Sequence, residues 1–249
     1  MRPNNRNKRN RRPRIVKSPE EIRTAILDGW HPKTELGRKV KAEEITDMAQ
    51  VLESGYRVME SQIIDKLLPN LESDFINIGQ AKGKFGGGKR RIFRQTQKKT
   101  KEGNKPVFTV MAVVGNRDGY VGIGIGRAKE TMPARDKATR NAKLRVIQIA
   151  RGCGSWQCTC GEPHSIPFKV EGKEASVKAK FMPAPKGTGL VADAEIKKIF
   201  KLAGIKDIWC KTSGQTKQKM NFVSAAMKAL RQGTRQRVVA CNLKYGSIR

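Results

Sequence analysis

The chain has 249 residues, enough for one large domain or two small ones with tails, and carries 52 Lys and Arg against 22 Asp and Glu, a net charge of +30. Such a surplus opposes a compact monomer in water and calls for a polyanionic partner, nucleic acid above all, because neutralised phosphates release their counterions. No long apolar run, signal-peptide core or lipidation motif stands in the sequence, so a membrane partner is excluded and a cytoplasmic protein is expected. Aromatic residues make up only 6% of the chain, which favours recognition by shape and phosphate over base stacking. Five cysteines, an odd number, do not make a disulfide framework.

Residues 1–17 open the chain as a basic tail: the first 14 hold seven Arg or Lys, four Asn, two Pro and no acid. So little apolar surface cannot offset the entropy of ordering, and an arm that orders against RNA is the functional reading. A helical extension is expected over residues 18–70. Ser18-Pro19-Glu20-Glu21 reads as a helix start running to about Leu27, and short helices follow over residues 46–53 and 60–68. In the last of these Ile63, Ile64, Leu67 and Leu68 share a face.

Residues 71–150 read as one two-layer domain. A first strand is expected over residues 74–79, where apolar and polar residues alternate. The loop Lys82-Gly83-Lys84-Phe85-Gly86-Gly87-Gly88-Lys89-Arg90-Arg91 then combines bare backbone with cations, a pattern suited to phosphate. Residues 93–107 read as a basic connection carrying Arg94, Lys98 and Lys99, followed by a hairpin over residues 107–126 turned at Asp118-Gly119. A helix is expected over residues 132–150, with Ala138, Ala142, Val146 and Ile149 on its core face and Pro133 in its first turn. The sheet so predicted has three antiparallel strands.

Gly122-Ile123-Gly124-Ile125-Gly126 is no dinucleotide fingerprint, because it lies within a hairpin strand and has the wrong spacing. Glycine at every second position bares one strand face to a helix or an RNA backbone. Residues 151–233 read as a second domain of order β-β-α-β-α. Its strands are expected over residues 166–170, 175–182 and 208–210. Its helices are one capped by Asp193, with Ile196, Ile199, Phe200 and Ala203 buried and Gly204 at its end, and one over residues 217–230. Residues 234–249 form a second basic tail.

Cys153-x4-Cys158-x-Cys160-x3-His164 supplies three thiols and an imidazole, the ligand types of a closed tetrahedral zinc site. The Cys-x-Cys step is tighter than the usual spacing, and the rival reading is reduced thiols in a linker. With all four positions filled by protein, one zinc ion there would be structural. Only two histidines occur, and neither a Ser-His-Asp arrangement nor paired carboxylates can be traced, so no enzyme is expected.

Several of these motifs, in this order, carry a family resemblance. Residues 82–94, 108–129, Pro183–Val191 with its Gly-Thr-Gly, and Leu202-Ala203-Gly204-Ile205-Lys206-Asp207 resemble the universal small-subunit ribosomal protein five family over residues 18–232. The Cys-rich link and Thr34-Glu35-Leu36-Gly37-Arg38 are similar to its archaeal branch. The resemblance implies an α+β protein, with an N-terminal double-stranded-RNA-binding-like domain (a β-β-β-α sheet with packed helix) and a C-terminal α/β domain of the family's ribosomal type. It implies 16S-type rRNA as partner near the mRNA entry path and decoding region, a role in translational accuracy, the fourth and eighth small-subunit proteins as neighbours, and mRNA at the entry channel. The RNA-binding residues expected are Lys82, Lys84, Lys89, Arg90 and Arg91, with Arg94, Lys98, Lys99, Arg127, Lys129 and Lys186. A free-standing double-stranded-RNA-binding regulator is the alternative.

Overall fold

The computed structural model describes residues 27–81, 90–158, 160 and 162–235. The N-terminal tail, all but Leu27 of the helix expected over residues 18–27, Lys82, Lys84 and Lys89, and the C-terminal tail from residue 236 lie outside the described residues.

Three short helices come first: α1 (Glu35–Lys41), α2 (Met48–Glu53) and α3 (Ser61–Leu67). Thr34 caps α1 by accepting the Gly37 amide at 3.1 Å. The Glu60 carboxylate ties the group together, accepting from Trp30 Nε1, Thr34 N and Thr34 Oγ1 at 2.7 Å each and from Lys33 N at 3.0 Å. Burial pushes the Glu60 carboxyl up, but these donors outweigh it and hold it below the usual carboxylate range.

The first sheet contains β1 (Glu72–Ile76), β2 (Arg94–Thr100), β3 (Gly103–Gly115), β4 (Tyr120–Ala128) and β5 (Val146–Gln148). Its order is β1-β3-β4-β5, with β2 paired to the other half of β3. One edge of β3 therefore serves two strands: Met111–Gly115 takes β1, and Gly103–Thr109 takes β2. Helix α4 (Thr131–Lys143) packs on this sheet.

Five strands replace the three expected, and the first of those three is displaced. Residues 94–100 form a strand and not a loop; they alternate no apolar residues, since the ribbon of β2 and β3 is exposed on both faces, so periodicity could not reveal it. The first strand sits earlier than predicted and stops at Ile76. There the Asn77 backbone and side-chain amides both turn to Glu195, at 2.9 Å each. The helix expected over residues 132–150 ends at Lys143; β-branched Val146 and Ile147 leave it to pair with Gly122 and Val121 on the open edge of β4. Ala138 and Ala142 line the buried helix face as expected, whereas Val146 and Ile149 are buried from β5 and the chain after it.

The alternating glycines of β4 admit a helix. A Cβ at Gly124 would stand 2.2 Å from Ala142 N and 2.4 Å from Ala138 O, and one at Gly126 would stand 2.2 Å from Ala134 O. Backbone thus lies on backbone, and bulkier residues at these positions would lift α4 off.

The second sheet has order β6-β7-β9-β8, from β6 (Val170–Glu174), β7 (Val177–Pro183), β8 (Leu190–Val191) and β9 (Ile208–Ser213). Helices α5 (Ala194–Ala203) and α6 (Lys219–Arg235) complete it. Strands β8 and β9 run parallel with α5 as their crossover; the remaining pairs are antiparallel. The strand expected over residues 166–170 begins only at Val170, since Pro167 has no N–H to give a ladder. Ala175 takes a positive φ of 51° in the turn after β6, which moves the next strand to Val177. Asp193 accepts the Glu195 amide and Gly204 ends α5 with φ 79°, both as predicted; Ile196, Ile199, Phe200 and Ala203 are buried. Helix α6 continues to Arg235, beyond the predicted end, and runs through Gly233, which is buried beside Val170.

Strand β3 is the shared wall of two cores. Val110, Ala112 and Val114 face α4 and the N-terminal helices, while Met111 and Val113 face the second sheet's helices, so a period of two distributes them between the clusters. Helix α5 is fixed to the first sheet at both ends. Near its start Glu195 holds Asn77 and Lys198 Nζ donates to Phe75 O at 2.5 Å. At its end the Leu202 and Ala203 carbonyls accept the amides of Arg117 and Gly119, at 2.8 and 3.0 Å, from the β3–β4 turn. These carbonyls would otherwise be orphaned, so the hairpin serves as the helix's cap.

Candidate nucleic-acid interface and metal centre

Between the base of β2 and the chain entering α6 runs a groove of about 1180 Å³. Arg90, Arg91, Arg94 and Lys217 line it together with five glutamines, and none of its lining residues is acidic. Gly79 N donates to Arg91 O at 2.8 Å, and Ala81 bridges Arg90, so the strand-end geometry delivers the arginines to one wall. Arg90 Nη1 crosses to Lys217 O at 2.9 Å and ties the two sheets' contributions together. Arg91 and Arg94 stay exposed.

Register extends this surface. Arg94 pairs with Thr109, which pairs with Arg127, so the two arginines flank Thr109 on one sheet face. Lys98, opposite Lys105, continues that face along the ribbon, and Lys99, opposite Asn104, lies on the reverse. Lys129 is exposed just past β4. The structure thus brings Arg90, Arg91 and Arg94 into one groove and aligns Arg127 and Lys98 with Arg94, whereas Lys99 lies on the ribbon's reverse and Lys186 stands apart beside the cysteines with its ammonium 2.8 Å from Glu162. A second cleft of about 870 Å³, lined by Arg117, Arg151, Lys201 and Lys206 with one acid, Glu162, lies where the sheets meet. Sequence reading missed these four cations, because the fold alone brings residues from the β3–β4 turn, the chain after β5 and the end of α5 to one place.

Cys153, Cys158, Cys160 and His164 converge, with their ligand atoms all within 4.8 Å of one another. Cys158 and Cys160 sulfurs are 3.1 Å apart, and His164 Nε2 is 3.7 Å from Cys158 Sγ. A tetrahedral zinc ion with metal–sulfur distances of about 2.3 Å needs separations of roughly 3.5–3.8 Å, so the set fits with small adjustments. A tight turn, Cys158 N to Ser155 O at 3.2 Å, folds the chain between Cys153 and Cys158 and leaves Trp156 90% exposed at its tip. The Lys186 amide, with the Cys160 thiol, draws the Cys158 thiol down to about 6, whereas burial and the neighbouring thiols push Cys153 up to about 12.

Behind the imidazole sits Asp207, 5% exposed, with Oδ2 at 2.8 Å from His164 Nδ1. A carboxylate on the far nitrogen is the customary support of a metal-binding histidine, and it leaves Nε2 free to face the cysteines. Sequence reading assigned Asp207 no role; its only signal was its place in the Leu202–Asp207 motif. Cys210 lies away from this cluster on β9, and burial raises its thiol to about 11.

An antiparallel sheet and a mixed sheet packed about β3, six helices among the described residues and a cationic groove with no acid in its lining define an α+β protein. Family models describe the same halves: ribosomal protein S5, N-terminal domain, matches residues 92–150, and ribosomal protein S5, C-terminal domain, matches residues 172–241. The small ribosomal subunit protein uS5 of Nanoarchaeum equitans is 51% identical over 219 residues, covering 88% of this chain and 94% of that protein. The uS5 proteins of Pyrobaculum aerophilum (44% identity; 82% and 87% coverage) and Methanobrevibacter smithii (42%; 90% and 98%) are also similar. The chain belongs to the ribosomal protein S5 family, whose members are structural and not enzymes.

Proposed function

We propose that the chain is a structural constituent of the small ribosomal subunit that clamps folded 16S-type rRNA electrostatically. The observation that carries this is the groove lined by Arg90, Arg91, Arg94 and Lys217 without a single carboxylate, in a chain of net charge +30. Phosphate contacts position such a protein on RNA, while the amide-rich lining can reach sugars and base edges. Lys82, Lys84 and Lys89 precede Arg90 in sequence and bring the same charge to the RNA; Lys98 and Arg127 continue the face of Arg94, with Lys99 on the ribbon's reverse and Lys129 just past β4 as further RNA contacts. The first sheet with α4 acts as a double-stranded-RNA-binding-like unit and the second as the family's α/β unit, divided near residue 150, with basic tails at both ends. Its place is near the mRNA entry path and decoding region, beside the fourth and eighth small-subunit proteins, where it supports translational accuracy and its cations also meet mRNA.

Cys153, Cys158, Cys160 and His164 hold one structural zinc ion. Zinc supplies a cross-link there, joining the loop after β5 to the segment leading into β6, and all four ligands come from the chain. Sucrose-gradient sedimentation of lysate tests the ribosomal role: the protein should travel with the small subunit at low salt and stay with it at moderate salt. A protein found only at the top of the gradient at low salt would instead be the free-standing regulator. Metal analysis of the purified chain should return one zinc per molecule, and its absence would leave the cysteines as linker thiols.

A further inference from the structure

We propose, on the zinc assignment just made, that Asp207 couples the metal centre to the loop over residues 185–189, so that metal loading and loop order depend on one another. Its carboxylate has two employments. Oδ2 meets His164 Nδ1 at 2.8 Å, and Oδ1 accepts the amides of Gly187 at 3.1 Å and Gly189 at 2.8 Å. Both glycines have positive φ, 94° and 72°, so this loop carries a large conformational entropy that its hydrogen bonds must offset.

The backbone closes the same circuit. Lys206 N and Asp207 N donate to His164 O at 2.8 and 3.1 Å, so Asp207 grips His164 with main chain and side chain at once. Gly189 O accepts Ile208 N at 3.2 Å, which carries the loop into the parallel β8–β9 pair. The loop also reaches the cysteine-rich link directly, through the Lys186 ammonium 2.8 Å from the Glu162 carboxylate.

An imidazole that gives its Nε2 lone pair to a metal must keep its proton on Nδ1, where it can only donate. Metal therefore fixes the tautomer and the ring plane, the ring fixes the Asp207 carboxylate, and the carboxylate fixes the two glycine amides. In reverse, the amides stabilise the carboxylate in the orientation that supports the imidazole. Coupling between two sites is reciprocal: the factor by which loop order tightens metal binding equals the factor by which metal orders the loop. Asp207 is a positioning residue and not a ligand.

The full chain serves for the test. Competition with a chromogenic chelator gives zinc affinity for wild type and Asp207→Asn, and cobalt(II) absorption reports the ligand set. The expected result is a cobalt spectrum of unchanged shape with affinity lowered about 10- to 100-fold. Amide hydrogen exchange on the wild type, with zinc and after chelation, needs no variant; Gly187 and Gly189 should exchange at least several-fold faster once zinc is removed, with the amides of α4 unaffected. A wild type that binds one zinc, yet protects Gly187 and Gly189 equally after chelation, overturns the coupling while leaving the zinc assignment intact. So does an Asp207→Asn protein with wild-type zinc affinity. A wild type that binds no zinc overturns both.

Discussion

Replacing Arg91, Arg94 and Lys98 together by Ala removes three exposed cations from the groove and the ribbon that continues it. None of the three has an ion-pair partner among the described residues, so the change removes charge without breaking the fold. Each phosphate contact contributes about 0.7–0.9 to the slope of log affinity against log salt, so three should reduce its magnitude by about 2–3. Between 50 and 200 mM salt, a fourfold change, the wild type should lose about 20- to 40-fold more affinity than the variant. Fluorescence anisotropy with a labelled, folded fragment of 16S-type rRNA, titrated at several salt concentrations, reads the slope directly. A matched control changes Lys39, Lys66 and Lys143, which pair with Glu35, Glu43 and Asp65 on the helical face. It should shift the slope far less. Equal slopes for wild type and the groove variant, or equal shifts for both triple variants, would refute the placement of the interface.

Three further outcomes follow from the packing. Gly124→Val puts side-chain atoms where Ala138 and Ala142 backbone already stand, and should cost about 3 kcal/mol or more, read as a lowered urea midpoint. Glu195→Ala strips two hydrogen bonds from Asn77 at the seam between the sheets and should cost about 2–4 kcal/mol; Glu195→Gln, which keeps one acceptor, should cost less, and an unchanged midpoint for the Ala variant would remove Glu195 from the seam. Glu60 has a folded-state carboxyl below its ordinary value, so its stabilisation is present above about pH 4.3 and is lost as pH falls through the lowered value. Stability of the wild type should therefore fall more steeply than that of Glu60→Gln on acidification below about pH 5, and parallel curves would show that the Trp30, Lys33 and Thr34 contacts do not favour the charged form.

How much of this was legible beforehand depended on whether the signal was local. Asp193 and Gly204 announced α5, because a cap and a left-handed stop depend on nearby backbone. The apolar period of α5 and α6 was equally clear. The alternating glycines left two approaches open, and the structure selects the helix. Failures arose where a distant partner decided. The ribbon strand at residues 94–100 exists because β3 continues beyond the core, and β5 exists because β4 had a free edge. The metal ligands could be named from spacing, but their support could not, since Asp207 lies 43 residues beyond His164 and reaches it only through the β8-α5-β9 crossover. The cationic cleft containing Arg117, Arg151, Lys201 and Lys206 is likewise a product of assembly.

Strand β3 also bears on how the protein is made. Synthesis proceeds from the N-terminus, so the first sheet and α4 emerge while Met111, Val113 and Val121 still lack the cover that α5 brings about 80 residues later. During that interval a flat apolar surface faces the cytosol on a chain already crowded with positive charge. The nascent protein is therefore at its most adhesive midway through translation, and escorts that shield it should act before residue 194 appears, not after release.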